Sequence, residues 1–202
     1  MPIRRRLLLA AAPLLLARPA GAQRADERMN ERVLGRLDAK LVVQEWFSLT
    51  CTHCAHFSET VFPEVQAKLI DTGRIRFVFR DFPLDQLALA AAALARALAP
   101  DRYLPFIETL FVTQERWAFN RAVDPLAELG HQAALAGLSV SDIEATLADL
   151  HLRDEIMVEQ DDGQKRYNIQ GTPTFVFGGS PIGPIVTYAD FAAAMDKAPT
   201  AG

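Results

Sequence analysis

The sequence predicts an α/β fold with a block of helices inserted into its middle. Three observations predict it. Residues 41–79 read as strand, helix, strand; residues 86–168 carry one helical pattern after another; and after Gly171 the pattern returns to strand, strand and helix. A chain of 202 residues holds this as one domain with a sizeable insertion. At 50% hydrophobic and 23% charged it is neither disordered nor collagen-like.

The first segment stands apart from the fold. Arg4, Arg5 and Arg6 form a basic start, and Leu7 to Ala17 is an apolar run of 11 residues, too short to span a bilayer. Ala20-Gly21-Ala22 places small residues where a signal peptidase requires them. Residues 1–22 are therefore expected to be an export signal peptide, cut before Gln23 to leave 180 residues. The adjacent arginines also allow a twin-arginine variant. No cysteine follows the apolar run, which argues against a lipoprotein anchor. Cleavage removes four arginines and no acid, so the net charge moves from −4 to −8 with histidines neutral. That balance disfavours a nucleic-acid partner. The expected surroundings are extracytoplasmic, where disulfides form and persist.

The elements follow in order. Residues 26–39 are polar and read as a short helix or edge segment. Leu41 to Phe47 (LVVQEWF) is β-branched and aromatic, hence a strand. From Cys51 to Ile70, the residues Phe57, Val61, Val65 and Leu69 recur every four positions and make one helical stripe. Pro63 inside that stripe predicts a kink or break near Phe62. Gly73 ends the helix, and Ile75 to Phe79 (IRFVF) is the next strand. A right-handed crossover makes these two strands parallel. Asp81 to Asp85 reads as a turn. Leu87 to Leu98 is an Ala- and Leu-rich helix, ended by Pro100.

A second amphipathic pattern covers Asp101 to Ala118, and a third starts at Asp124-Pro125 and covers Leu126 to Leu135. A fourth reads as one long helix from Val140 to Tyr167. Ser141 and Glu144 look like its capping box, and Asp161-Asp162-Gly163 is a candidate interruption. Thr174 to Phe177 is a strand, Gly178-Gly179-Ser180 a turn, and Pro181 to Val186 a candidate return strand. Thr187 precedes a last helix, Tyr188 to Lys197. The expected divisions are 23–85 and 169–202 for the two parts of the α/β host, and 86–168 for the helical subdomain.

The chain has two cysteines, Cys51 and Cys54. A bond between them closes a four-residue loop, which constrains little chain entropy and makes a poor staple. Their place at a strand end and helix start points to chemistry instead. A helix N-terminus presents unpaired N–H groups and partial positive charge, which lowers the pKa of a thiol there. Cys51 is the expected exposed nucleophile. Cys54, one turn inward and able to meet it, is the expected resolving thiol. His53 adds positive charge when protonated and a hydrogen bond when neutral, and either makes the disulfide more oxidising. Thr52 adds a hydroxyl without charge. Cys51, Cys54, His53 and His56 could supply metal ligands on paper. There is no second CxxC, however, and adjacent side chains do not readily converge on a tetrahedral ion. His56 reads as a helix-surface residue.

Two further features bear on this pair. Glu45 interrupts an apolar strand six residues before Cys51. On an edge strand it would face water. On a central strand it would lie beneath the helix start, with a raised pKa and a proton to exchange with Cys54. In Gly171-Thr172-Pro173-Thr174-Phe175, Pro173 is either ordinary turn punctuation or a cis proline opening a central strand. Packed beside Cys51, the backbone of Thr172 could dock an extended polypeptide.

Together these features resemble the DsbA-like thiol:disulfide oxidoreductases of the bacterial periplasm, in the thioredoxin superfamily. The resemblance covers roughly residues 30–198. EWFSLTCTHCAHF looks like the family's active-site segment, placing its reactive cysteine on Cys51, its buried cysteine on Cys54 and its buried acid on Glu45. GTPTFVFGG looks like its cis-proline loop, at Pro173. Residues 86–168 match its helical insertion. The resemblance implies a thioredoxin-like fold with a helical insertion subdomain, and no cofactor or metal beyond a redox-active Cys51–Cys54 disulfide. It further implies a periplasmic location, reduced client polypeptides as substrates and a membrane redox partner that recycles the disulfide. Thr52 stands where the best-known members have proline. Thr172 stands where many oxidases have valine, as in isomerase- and reductase-type relatives. The leading expectation is a dithiol oxidase. The alternatives are a client-specific reductase or isomerase, and a non-enzymatic peptide-binding chaperone. About 18 residues separate Gln23 from Leu41, which leaves no separate dimerisation domain; a monomer is expected.

Overall fold

Five strands form one sheet in the order β1-β3-β2-β4-β5. The computed structural model describes residues 26–182 and 184–199; the expected export signal at 1–22 lies outside them. The strands are β1 (Arg32–Leu34), β2 (Leu41–Phe47), β3 (Ile75–Asp81), β4 (Thr174–Phe177) and β5 (Ser180–Ile182). β2 and β3 pair in parallel, from Leu41 opposite Ile75 to Phe47 opposite Asp81. The other pairings are antiparallel. β2 is therefore the central strand. Its alternate residues Val43, Glu45 and Phe47 share one face, and Trp46 occupies the other.

The crossover from β2 to β3 is helical throughout but not uniform. α1 (Thr52–His56) runs into a wide π turn at Phe57–Val61, then α2 (Phe62–Val65) and a second π turn at Gln66–Ile70. The disruption expected near Phe62 thus takes the form of wide turns around Pro63, which has no N–H to give the ladder. Beneath this crossover lies an aromatic core. The Phe57 ring is 4.6 Å from that of Phe175, Phe62 is 5.4 Å from Phe77, and Phe177 is 5.0 Å from Phe191 of α8 (Tyr188–Lys197).

Between β3 and β4 the chain forms the helical insertion: α3 (Gln86–Ala97), α4 (Pro100–Val112), a π turn at Glu115–Phe119, α5 (Pro125–Leu135), α6 (Val140–Ala148) and α7 (Leu150–Tyr167). Several details differ from the sequence reading. β3 continues to Asp81, whose carboxylate takes a 2.6 Å hydrogen bond from the buried Arg96 guanidinium of α3. Pro100 opens α4, where a missing N–H costs nothing. The pattern through Ala118 is broken after Val112. The stretch 140–167 is two helices, because the Asp149 side chain caps a new start by accepting from the Leu152 N–H at 3.1 Å. The capping box of α6 belongs to Ser139 and Asp142, two residues earlier than the Ser141 and Glu144 reading.

α7 continues through Asp161-Asp162-Gly163. Gly163 is there for close approach: a Cβ on it would lie 2.3 Å from the Trp46 indole. The return strand β5 stops at Ile182, short of the expected Val186. Among the described residues, no helix is long and apolar enough to cross a membrane.

Candidate active site

Strand alternation decides where Glu45 goes. It shares its face of β2 with Val43 and Phe47, so it points under the start of α1, and it is 4% exposed. The edge-strand alternative is thereby excluded. Burial pushes its carboxyl up to about 8, and the neighbouring Cys51 thiolate adds to the rise.

Ser48-Leu49-Thr50 carries the chain from β2 to Cys51, the N-cap residue of α1, with an extended backbone (φ −87°, ψ 120°). The N-cap side chain makes no conventional capping hydrogen bond, which leaves the first N–H groups free to face the sulfur. The Cys51 thiol is drawn down to about 5. The leading cause is hydrogen bonding from the Cys54 thiol; the Thr172 hydroxyl and the backbone N–H groups of Cys54 and His53 add to it, and burial opposes it. Cys54 is fully buried. That burial, with the Cys51 thiolate and Glu45 nearby, pushes its pKa well above the ordinary thiol value. The two thiols are thus strongly unequal.

The expected exposure of Cys51 needs correction: it is 8% exposed. The cover is the loop before β4. Thr172–Pro173 is a cis peptide bond, and the Cys51 thiol donates to the Thr172 carbonyl at 3.2 Å. The Thr172 hydroxyl is buried and, apart from the Cys51 sulfur whose charged form it favours, has no hydrogen-bond partner among the described residues. Pro173 and Thr172 are half-buried at the rim, while Thr52, His53 and His56 are exposed on α1. His53 reaches the sulfur through its backbone N–H. His56 lies beside Thr60 on the helix surface.

Sequence reasoning missed the groups that hold the connecting loop. Thr50 donates to Asp85 at 2.7 Å, and Asp85 caps α3 at the Ala88 N–H, also at 2.7 Å. Gln114, buried between α4 and the following π turn, donates to the carbonyls of Leu49 and Cys51. Asp85 had a visible signal, a helix-capping acid before an apolar run. Gln114 had none. Chemically, the site offers one stabilised thiolate, one sealed thiol and a neutral buried acid between sheet and helix.

Known proteins resemble this chain in sequence and fold. The thioredoxin family profile matches residues 27–197. The crystal structure of Wolbachia pipientis α-DsbA1 superposes with a TM-score of 0.76 at 28% identity, covering 84% of this chain and 91% of that one. Oxidised BdbD from Bacillus subtilis gives 0.73 at 25% identity, covering 83% and 91%. A Rickettsia bellii protein named for protein-disulfide oxidoreductase activity is 32% identical over 171 residues, which is 84% of this chain and 64% of that protein. The chain spans 55% to 64% of the length of the five Rickettsia relatives it matches.

Proposed function

The chain belongs to the thioredoxin family, in the DsbA-like form of its fold, and on that footing we propose that it is a periplasmic thiol–disulfide oxidoreductase that donates a Cys51–Cys54 disulfide to folding client proteins. The observation that carries the reading is the inequality of the two thiols at one helix start: Cys51 drawn down to about 5, Cys54 pushed far up.

In the forward reaction a client thiolate attacks the Cys51 sulfur of the disulfide. The S–S bond breaks, and Cys54 leaves with the electron pair. Because Cys54 is a poor thiolate, it needs a proton, and Glu45, neutral at pH 7 with its pKa near 8, is placed to give one. A second client thiolate then attacks the client sulfur of the mixed disulfide. Cys51 leaves as a thiolate, which at pH 7 is about 99% ionised for a pKa near 5. The client has lost two electrons and leaves oxidised; the protein leaves as the dithiol. A good leaving group at Cys51 drives this direction. A membrane redox partner would restore the disulfide. The backbone beside cis Pro173 would align the extended client.

The test is disulfide transfer to a reduced client with defined variants. Cys51→Ala abolishes transfer, and Cys54→Ala accumulates protein–client mixed disulfides. Unchanged client oxidation in both variants would overturn the catalytic assignment. Efficient reduction of an oxidised client, without oxidation of a reduced one, would assign the opposite direction.

A further inference from the structure

We infer that Gln114 is a positioning residue for this exchange: its buried amide, supplied by the helical insertion, fixes the peptide of Cys51 in the orientation that serves the thiolate. The inference rests on the reading of Cys51 as the nucleophile.

Gln114 lies between α4 and the π turn at Glu115–Phe119, and is 4% exposed. Its Nε2 donates to the Leu49 carbonyl at 2.8 Å and to the Cys51 carbonyl at 3.2 Å. A side-chain amide nitrogen carries two hydrogens, and both have a partner in the loop that delivers the nucleophile. The Cys51 carbonyl also accepts the Ala55 N–H at 3.1 Å, the first bond of α1. Both of its lone pairs are thus engaged, one by its own helix and one by the insertion. Two bonds to one carbonyl leave the Cys51–Thr52 peptide little freedom to rotate. That peptide sets how the N–H groups of the first turn meet the sulfur.

The two carbonyls flank Thr50, whose hydroxyl is itself held by Asp85 at the start of α3. The loop is therefore gripped by the insertion through its carbonyls and through a side chain. The Gln114 contact is the buried one. In a low-dielectric site the amide hydrogens also meet the negative ends of two peptide dipoles close to a developing thiolate. Without them the Leu49 carbonyl loses its amide donor and the Cys51 carbonyl keeps only the Ala55 N–H.

The experiment uses the reduced full chain with Gln114→Met, which keeps the volume and removes both donors, and Gln114→Glu, which replaces them with acceptors. Thiolate absorbance against pH reads the Cys51 titration, and equilibration with a glutathione buffer reads the potential. Loss of the two bonds is expected to raise the Cys51 pKa by about one pH unit in Gln114→Met, with a larger rise in Gln114→Glu and a less oxidising potential in both. A purely structural residue would lower the unfolding midpoint and leave the titration in place.

A measurement on the unmutated protein needs no folded variant: the Gln114 side-chain amide protons should exchange slowly with solvent. Free exchange of those protons, or a folded Gln114→Met with the parental titration and potential, overturns the inference alone. Absence of disulfide exchange by the unmutated protein overturns the functional reading, and the inference with it.

Discussion

The Cys51 sulfur lies 3.2 Å from the carbonyl oxygen of Thr172, a residue 121 positions further along the chain. The contact suits a thiol, which donates to the carbonyl. It does not suit a thiolate, which has no proton to give. The same residue carries the remedy, a buried hydroxyl that favours the charged sulfur and has no other partner among the described residues. Thr172→Val should therefore raise the Cys51 pKa and make the disulfide less oxidising. The size of a single hydrogen bond to a charged group, roughly 1.5–3 kcal/mol at most, sets the upper limit at about two pH units. Thiolate absorbance in the variant checks this. An unmoved titration would remove Thr172 from the list of thiolate partners.

Glu45 makes a separate, testable contribution to stability. Its carboxyl titrates near 4.3 when unfolded and near 8 when buried in the fold. A raised carboxyl pKa means that the folded state holds its proton more tightly. Folding is thus favoured fully below about pH 4, and that stability drains away as the pH rises through the window from about 4 to 8. Glu45→Gln, which cannot ionise, should lose this dependence and be more stable than the parent at pH 8, by an amount on the order of a few kcal/mol. Urea unfolding of the reduced protein from pH 4 to 9 reads the difference. The same variant should slow client oxidation, because Cys54 loses its proton donor. Parallel stability curves for parent and variant would contradict the burial argument.

Much of this site was legible in the chain. The strand LVVQEWF places Glu45 and Phe47 on one face by alternation alone, and CTHC at its end identifies the two thiols. Pro173 before a strand raises the cis bond as one of two readings, and the structure has it. What escaped notice depends on contacts that no local pattern encodes. Gln114 reads as one polar position inside the amphipathic pattern of Asp101 to Ala118; only the packing of α4 against α1 turns its amide to Leu49 and Cys51. The cover over Cys51 comes from Thr172, far away in sequence. Asp149 reads as an interior helix position until Arg28 holds its carboxylate at 2.6 Å and its other oxygen caps α7. Gly163 looked like an interruption because a glycine weakens a helix, whereas its reason is the Trp46 ring across the sheet face.

That glycine supports a packing prediction. Alanine in a helix interior gains about 1 kcal/mol over glycine. Here its Cβ would meet the six-membered ring of Trp46 at 2.3 Å, and overpacking costs roughly 1–3 kcal/mol. The indole is rigid and 4% exposed, so the clash should prevail and Gly163→Ala should lower the melting temperature. Trp46→Phe removes the offending ring atoms. The double variant should recover part of the loss, a coupling that thermal unfolding of the four proteins measures.

The insertion is anchored to the sheet by charge as well as by apolar packing. The Arg96 side chain is fully buried, with Asp81 at 2.6 Å and Glu159 at 3.1 Å. Arg96→Met would leave Asp81 buried without its cation, a change that costs about 3–5 kcal/mol in comparable sites. Adding Asp81→Leu should return much of that loss. Urea midpoints of the single and double variants test the pair, and additive losses would show that the two side chains act independently.

Disulfide transfer from this site depends on how Cys51 ionises. In the reduced full chain, thiolate absorbance followed from pH 3 to pH 9 should show one transition with a midpoint near 5, absent in Cys51→Ala. A midpoint near 8.5, where an unperturbed thiol titrates, would contradict the claim that the fold makes Cys51 the leaving group of disulfide transfer.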